Sequence, residues 1–300
     1  MLQQYNPKND NILVYIDGEL CPRAEAKVSV FDSVVQGGDA VWEGLRVYNG
    51  RIFSLDKHLE RLQNSAHALA FTQVPDNDFI KAAIRKTLKA NDMTDGVHIR
   101  LTLTRGRKTT SGMDPRLNQF GPTLIILPEW KPPVYPPQIT LITSSVRRNS
   151  PSFLDSKIHH NNLLNNILAK IEANHAGADA GLMLDQHGFV SEANGVNVFC
   201  IYQGTVYTPH AHNCLPGITR GIVIDICRQH GIPLSEQNLS LSEFYRADEA
   251  FTTGTMGELT RVHSIDGRSI RGSQSGKSVL EELEKHFRQL TQTAGTPLPF

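Results

Sequence analysis

Strand-like alternation and helix-period apolar stripes recur in both halves of this chain, and a proline-rich break divides the halves. Together these predict an α/β protein of two domains. At 300 residues the chain is long for a single core, and cores of this size tend to split. The break is KPPVYPPQ, with four prolines in eight residues. A stretch so poor in backbone donors can form neither a regular helix nor a central strand. The expected layout is a small α/β domain over 1–130, a linker over 131–137 and a larger domain over 138–300.

The elements follow in order. ILVYIDGEL predicts two short strands around Asp17-Gly18, and LRVYNGRIFSL a second hairpin around Asn49-Gly50, both favoured turn dipeptides. Leu55, Leu59, Leu62, Ala66 and Leu69 recur at helical spacing. A second helix is expected over about 76–90, then the strands HIRLTLTRG and PTLIILPEW. Beyond the linker, ITLITSSV reads as a strand, and Leu163, Leu164, Ile167, Leu168 and Ile171 mark one face of a helix. GLMLDQHGFVSEANGVNVFCIYQGTVYTP alternates like a strand meander. Ile218, Ile222 and Ile226 line another helix that stops near Gly231 and Pro233. A last helix is expected over about 277–289, with a loose tail after it.

Composition excludes several functions. Thirty basic and thirty acidic residues give a formal charge of zero, so neither nucleic acid nor an anionic membrane surface is an expected partner. No stretch approaches the roughly 20 apolar residues of a membrane span. The start, MLQQYNPKND, lacks the charged-then-apolar pattern of a secretion signal, so a cytoplasmic protein is expected. Cys21, Cys200, Cys214 and Cys227 lie far apart and read as reduced, mostly structural thiols. His159 and His160 have no partner at ligand spacing, and no metal site is expected. Arg147-Arg148 and the run from Arg105 to Lys108 read as solvated loop faces.

Three segments carry chemistry. Lys157 lies in SKIHHNNLLNN, between a strand and a helix, where a side chain can enter a cleft. Glu192 lies on an alternating strand in VSEANGVNVF, and LPGITR opens a helix with Gly217 and Thr219. Each has an ordinary reading: a surface lysine, a solvent-facing glutamate, a helix start without a ligand. In this order they are also the parts needed to use pyridoxal phosphate. An amine can form a Schiff base with the cofactor aldehyde, a carboxylate can keep the pyridine nitrogen protonated, and a helix start can bind the phosphate. The turn TTGTMG offers further backbone donors, although turn formation alone explains it equally well.

GGDAVWEGLRVYNG, HLERL, HIRLTLTRG, the Lys157 segment, VSEANGVNVF, LPGITR and FTTGTMGEL occur in this order over nearly the whole chain. In this the chain resembles the fold-type IV pyridoxal-phosphate enzymes, the class IV aminotransferases, and among them the branched-chain aminotransferases. The resemblance implies a two-domain fold whose larger domain has a barrel-like β core with outer helices, and the cofactor in the interdomain cleft. It also implies a homodimer or a higher homo-oligomer. Lys157 matches the Schiff-base lysine and proton carrier, and Glu192 the partner of the pyridine nitrogen. Arg61, Ile218, Thr219, Thr255 and Met256 match the phosphate cradle. The Thr255-Met256 turn also matches the position that holds the substrate carboxylate, and Trp42, Arg46, His98 and Arg100 match substrate-pocket positions. Asn162 and His98 stand where branched-chain members have tyrosines, and a further aromatic near Gly37 is missing. PRLNQF, with Arg116 and Asn118, is similar to the carboxylate-binding segment of D-amino acid aminotransferases, with asparagine for their histidine.

The implied reaction is a ping-pong transamination through Lys157, from a hydrophobic or branched-chain L-amino acid donor to the keto-acid acceptor 2-oxoglutarate. The alternatives are a D-amino acid or (R)-amine aminotransferase of the same fold, an aminodeoxychorismate lyase, and a non-catalytic pyridoxal-phosphate-binding protein.

Overall fold

A computed structural model describes residues 3–273 and 276–298. Contacts divide the chain into two compact units. The N-terminal unit comprises Gln3–Pro132, Ile158–Asn162 and the chain from Thr291 on, and the C-terminal unit Pro133–Lys157 and Leu163–Leu290.

In chain order the elements are β1 (Leu13–Ile16), β2 (Glu19–Pro22), α1 (Ser33–Gly37), β3 (Ala40–Tyr48), β4 (Arg51–Ile52), α2 (Leu55–Ala68), α3 (Asn77–Ala90), β5 (Val97–Thr104) and β6 (Thr123–Trp130). There follow β7 (Gln138–Thr143), α4 (Leu164–His175), β8 (Ala180–Leu184), β9 (Val190–Ala193), β10 (Asn197–Tyr202), β11 (Thr205–Thr208) and α5 (Ile218–His230). The last are β12 (Leu234–Glu236), α6 (Leu241–Tyr245), β13 (Glu249–Gly254), β14 (Glu258–Ile265), β15 (Arg268–Ser269), α7 (Val279–Thr293) and β16 (Thr296–Pro297).

The N-terminal unit is built on an antiparallel sheet in the order β16-β4-β3-β5-β6-β1-β2. Its two hairpins turn where Asp17-Gly18 and Asn49-Gly50 all take positive φ, the conformation that right-twisted strands need at a two-residue turn. Asp76 caps α3 by accepting from the Phe79 N–H. Apolar residues of α2 and α3 pack on Val41, Leu45 and Val47 of β3 and on Ile99, Leu101 and Leu103 of β5. Successive strand residues point to opposite faces. The same alternation therefore sends Trp42, Gly44 and Arg46 the other way, opposite Thr102, Arg100 and His98 in the register.

The C-terminal unit holds a nine-stranded mixed sheet in the order β12-β11-β10-β13-β14-β7-β8-β9, with β15 paired to β14. β7 runs parallel to both β8 and β14. The last strand in that order, β9, turns back towards β10 through the single bridge Ala193–Val196, which curls the sheet into a half-barrel. The protein is thus mixed α/β. The inner surface of this sheet carries Leu141, Leu182, Val198 and Ala250, with Phe244 of α6 packed on them. Phe199 and Phe251 stack at 4.8 Å between ring centroids.

Two expectations need correction. The tail after α7 is not loose up to its described end: Thr296 and Pro297 pair with Ile52 and Arg51, and the Leu298 N–H donates to the Gly50 carbonyl. Arg105, Lys108 and Arg148 are not solvated. Arg105 pairs with Asp39 at 2.6 Å, and Lys108 and Arg148 are buried. The helical stripe on α4 exists, but it faces outward. The side packed on the sheet is Asn166, Ala169 and Ala173, because β8 approaches too closely for larger residues. A Cβ at Gly181 would lie 2.6 Å from the Ala169 carbonyl oxygen.

Candidate active site

In the C-terminal unit, the Glu192 carboxylate sits on β9 and is 4% exposed. A buried charge needs a partner. Arg148 supplies it, its Nε donating to Oε1 at 2.5 Å, while Asn197 Nδ2 donates to Oε2 at 3.2 Å. Asn197 also donates to the Leu215 carbonyl at 2.9 Å, which ties the carboxylate to the residues that open α5. The contact is close: a Cβ on Gly217 would lie 2.0 Å from Asn197 Oδ1. α5 starts at Gly217 with no side-chain cap and no acidic residue in its first turn. Such a start presents backbone N–H groups and the positive end of the helix dipole.

The loop from Pro209 to Gly217 gathers the other groups. Ser191 Oγ, beside Glu192, donates to the Asn213 carbonyl at 2.9 Å. Arg220 Nη2 donates to the Pro209 carbonyl at 2.9 Å. Lys157 Nζ reaches the His212 carbonyl at 3.4 Å and pairs with Asp155 at 2.8 Å. Its side chain is 41% exposed, so this amine is open to solvent and not desolvated. At the middle of these charges lies the Cys214 thiol. Burial and then Glu192 push its pKa up to about 12, against the opposing pull of Arg220, Arg148 and Lys157.

The TTGTMG turn joins β13 to β14. Register places Thr253 directly across from Asn197, and the Met256 carbonyl accepts from the Val134 N–H. Thr253 Oγ1 and Arg148 Nη1 are both buried with no hydrogen-bond partner, an arrangement that suits a bound polar group. Lys157, Glu192, Thr219 and the Thr255-Met256 turn thus all lie in one unit and, through Asn197 and the 209–217 loop, on one connected framework.

In the N-terminal unit a second cluster surrounds Glu43, which is fully buried on β3. Arg61 grips it with a fork, Nε to Oε1 at 2.8 Å and Nη2 to Oε2 at 2.7 Å. His58 Nδ1 lies 2.6 Å from Oε2 and His159 Nδ1 3.1 Å from Oε1. Burial opposes ionisation, yet His159, the Arg61 fork and the His58 contact hold the Glu43 carboxyl well below the usual carboxylate range. Burial also pushes the His159 pKa down to about 4. At neutral pH the charge facing Glu43 is therefore that of Arg61.

Residues 158–162 lie along β3 as an added strand edge. Trp42 N–H donates to the His159 carbonyl at 3.0 Å and Asn161 N–H to the Ala40 carbonyl at 2.8 Å. Trp42 lies 4.1 Å from the His159 ring, and the Arg100 guanidinium carbon is 3.4 Å from the Trp42 ring centroid. Arg100 Nη2 donates to Asn161 Oδ1 at 2.6 Å. Nearby, burial and the charges of Lys131, Arg46 and Arg100 push His98 down to about 3, leaving it a neutral imidazole. Arg46 donates to the Lys131 carbonyl at 2.6 Å. The structure therefore gathers Trp42, Arg46, His98 and Arg100 on one sheet face, and Arg61 with Glu43 on the other. It does not gather Arg116, which is solvent-exposed in a 3-10 turn and pairs with Asp114 two residues away.

Arg148, Asn197, Glu43, His58 and Asn161 were not among the residues expected to form the site. A signal existed for Glu43: alternation along VWEGLRV puts it on the same side as Val41, Leu45 and Val47, where a carboxylate demands a cation.

The family model for class IV amino-transferases matches residues 40–265, from the start of β3 to the end of β14, and the chain belongs to that family. Branched-chain-amino-acid aminotransferase-like protein 2 of Arabidopsis thaliana is 56% identical over 295 residues, which are 98% of this chain and 53% of that protein. The chain thus spans about half the length of that relative. A putative branched-chain-amino-acid aminotransferase of Methanocaldococcus jannaschii is 38% identical over 280 residues, 92% of this chain and 96% of that one. The solved structure of the branched-chain amino acid aminotransferase from Thermobaculum terrenum, in its PLP-form, superposes with a TM-score of 0.83 at 26% identity, covering 95% of each chain. Among the described residues no helix is long and apolar enough to cross a membrane.

Proposed function

We propose that the chain uses pyridoxal phosphate to transfer an amino group from a hydrophobic or branched-chain L-amino acid to 2-oxoglutarate. The observation that carries this reading is the buried Glu192 carboxylate, held by Arg148 and Asn197 and linked through Asn197 to the uncapped start of α5. The donor set fits the cofactor: an anion for a ring nitrogen, backbone donors with Thr219 for a phosphate, and a solvent-accessible amine at Lys157. Orphaned Thr253 Oγ1 and Arg148 Nη1 supply further donors. When bound, the cofactor supplies an electron sink for the bond broken at the donor's α carbon.

The residues of this chain do the rest. Lys157 Nζ would hold the cofactor covalently and, once released, would carry the proton from the donor's α carbon to the cofactor. Glu192, fixed by Arg148 and Asn197, would be the anionic partner of the cofactor's ring nitrogen. Ile218, Thr219 and the Thr255-Met256 turn would hold the phosphate through backbone donors, and Arg61 is proposed as its cationic ligand. Trp42, Arg46, His98 and Arg100 are proposed to face substrate. His98 is neutral, so the fixed positive charge there is that of the arginines. The branched-chain names of the relatives support the donor class. A homodimer in a soluble compartment accompanies this reading.

The test is a half-reaction followed by absorbance. Protein loaded with pyridoxal phosphate is mixed separately with L-leucine, D-alanine and an (R)-amine. Loss of the cofactor band with L-leucine alone supports the proposal, and loss with D-alanine or the amine alone replaces the donor with that class. Lys157→Ala should abolish the response, and full turnover by that variant would end the assignment.

A further inference from the structure

Prolines on both sides of Val134-Tyr135 in KPPVYPPQ fix φ at their own positions and restrict the residues before them, so this dipeptide has a stiff backbone. It belongs to the C-terminal unit, where Tyr135 packs on the core. What it touches is the turn from β13 to β14. The Val134 N–H donates to the Met256 carbonyl at 3.1 Å. A Cβ on Gly257 would lie 2.9 Å from Cδ2 of the Tyr135 ring, so the ring fills the space that a side chain at 257 would need. At the other end of the turn, a Cβ on Gly254 would lie 2.9 Å from Val196 Cγ1. Glu258, which closes the turn, takes φ +53°, a left-handed conformation that persists in a non-glycine residue where the surroundings impose it. The turn is thus strained at one end and gripped between Val196 and Tyr135.

We propose, on the pyridoxal-phosphate reading above, that Tyr135 is a positioning residue: its ring, held by the flanking prolines, sets the Thr255-Met256 turn where its N–H groups meet the cofactor phosphate. Backbone donors bind an anion when several converge on it at hydrogen-bond distance. Thr255, Met256 and Gly257 lie beyond the last paired residues, Gly254 and Glu258, so the strand ladder does not fix them. Val134 and Tyr135 do, one by taking the Met256 carbonyl and the other by filling the space beside Gly257. Removing the ring leaves a void beside a glycine, the residue with the widest backbone freedom, and lets the donors spread. Thr260 Oγ1, which donates to the Gly257 carbonyl at 2.8 Å, holds only the last residue of the turn. The contact with Gly257 is made by a ring carbon, so phenylalanine serves as well as tyrosine.

The full chain is titrated with pyridoxal phosphate and, separately, with pyridoxal, the same aldehyde without the phosphate, and each dissociation constant is read from absorbance. Their ratio isolates the phosphate and needs no amino donor. Wild type should bind pyridoxal phosphate the more tightly. Tyr135→Ala should cut that preference at least ~10-fold, the weight of one hydrogen bond to a charged group, while its affinity for pyridoxal stays at the wild-type value. Tyr135→Phe should keep the wild-type ratio, and Tyr135→Leu should fall between the two. Gly257→Ala pushes on the ring, so it should lower the ratio in a wild-type background and lower it little further in Tyr135→Ala. An unchanged ratio in Tyr135→Ala would overturn the proposal, as would a Gly257→Ala effect independent of Tyr135. So would an equal loss for both aldehydes, which marks general damage to the fold rather than placement of the turn. A wild type that binds the two aldehydes equally would remove the cofactor reading itself, and this role of Tyr135 with it.

Discussion

Gly217→Ala isolates the link between the Glu192 carboxylate and the start of α5. Gly217 has φ −62° and ψ 137°, which alanine adopts freely, so backbone strain is not at issue. The obstacle is the added Cβ, which would stand 2.0 Å from Asn197 Oδ1. Real contacts of this kind begin near 3.0 Å, so the amide must retreat by about 1 Å. Its hydrogen bond to Glu192 Oε2 is already 3.2 Å long and would break, and the 2.9 Å bond to the Leu215 carbonyl would stretch. Losing a hydrogen bond to a charged acceptor costs about 1.5–3 kcal/mol, and the weakened neutral bond about 1 more. Alanine at the helix N-cap adds up to ~1, offset by a similar reduction in unfolded-chain entropy. The net expectation is a loss of about 2.5–4 kcal/mol. Gly221, one turn further along the same helix, has nothing within 4 Å of its would-be Cβ. Gly221→Ala should therefore stabilise by about 0.5–1 kcal/mol. Urea unfolding at constant m-value compares the two directly. A Gly217→Ala midpoint at or above that of wild type would refute the reasoning.

Other outcomes follow from the buried ionisable groups. His98 and His159 have folded pKa values of about 3 and about 4, against 6.5 when unfolded. Between pH 6.5 and those values the unfolded chain binds protons that the native state refuses, so stability must fall with pH by about 1.4 kcal/mol per unit for each histidine. Denaturation of wild type and His98→Asn between pH 6 and 4.5 should differ in slope by close to one proton, and equal slopes would contradict the burial argument. Glu43→Gln removes the buried charge that the Arg61 fork grips and should cost about 3–5 kcal/mol, and Glu43→Gln with Arg61→Met should cost less than the separate losses summed. Strict additivity would mean that the two groups do not interact. Of the four cysteines only Cys21 is not buried, and burial pushes Cys200, Cys214 and Cys227 up to about 12, 12 and 11. Native protein should thus show one fast thiol towards Ellman's reagent and four after unfolding. Rapid labelling of a second thiol would mean that a core position opens.

The sequence is most legible where local chemistry decides structure. Asp17-Gly18 and Asn49-Gly50 fix their hairpins because few other dipeptides tolerate that backbone. α2 and α3 begin and end close to their apolar patterns. Periodicity reveals a face without revealing its direction, so the stripe on α4 is plain in the sequence while its outward aim is not. The packing of Gly181 on Ala169 decides that, and those residues are twelve apart in the chain. Lys157, Glu192 and Thr219 could be picked out by chemistry and order. Arg148 could not, since an arginine pair on a loop looks solvated until a buried glutamate 44 residues later is known to need it. Residues 158–162 were expected with the C-terminal domain by position alone. Their hydrogen bonds to β3 group them with the N-terminal unit.

The hydrogen bonds that Lys157, Ser191 and Arg220 make to the 209–217 loop end on the carbonyl oxygens of His212, Asn213 and Pro209, and Asn197 adds the Leu215 carbonyl beside the Cys214 sulfur. Every amino acid carries that oxygen, so the side chains of His210, Ala211 and His212 are free to drift while these bonds persist. Loop length has no such freedom. Removing one residue moves the following carbonyls by up to ~3.5 Å, more than any of these bonds can absorb. Point substitutions at His210, Ala211 or His212 should be tolerated in a library of variants, and single-residue deletions across the same stretch should be purged from it.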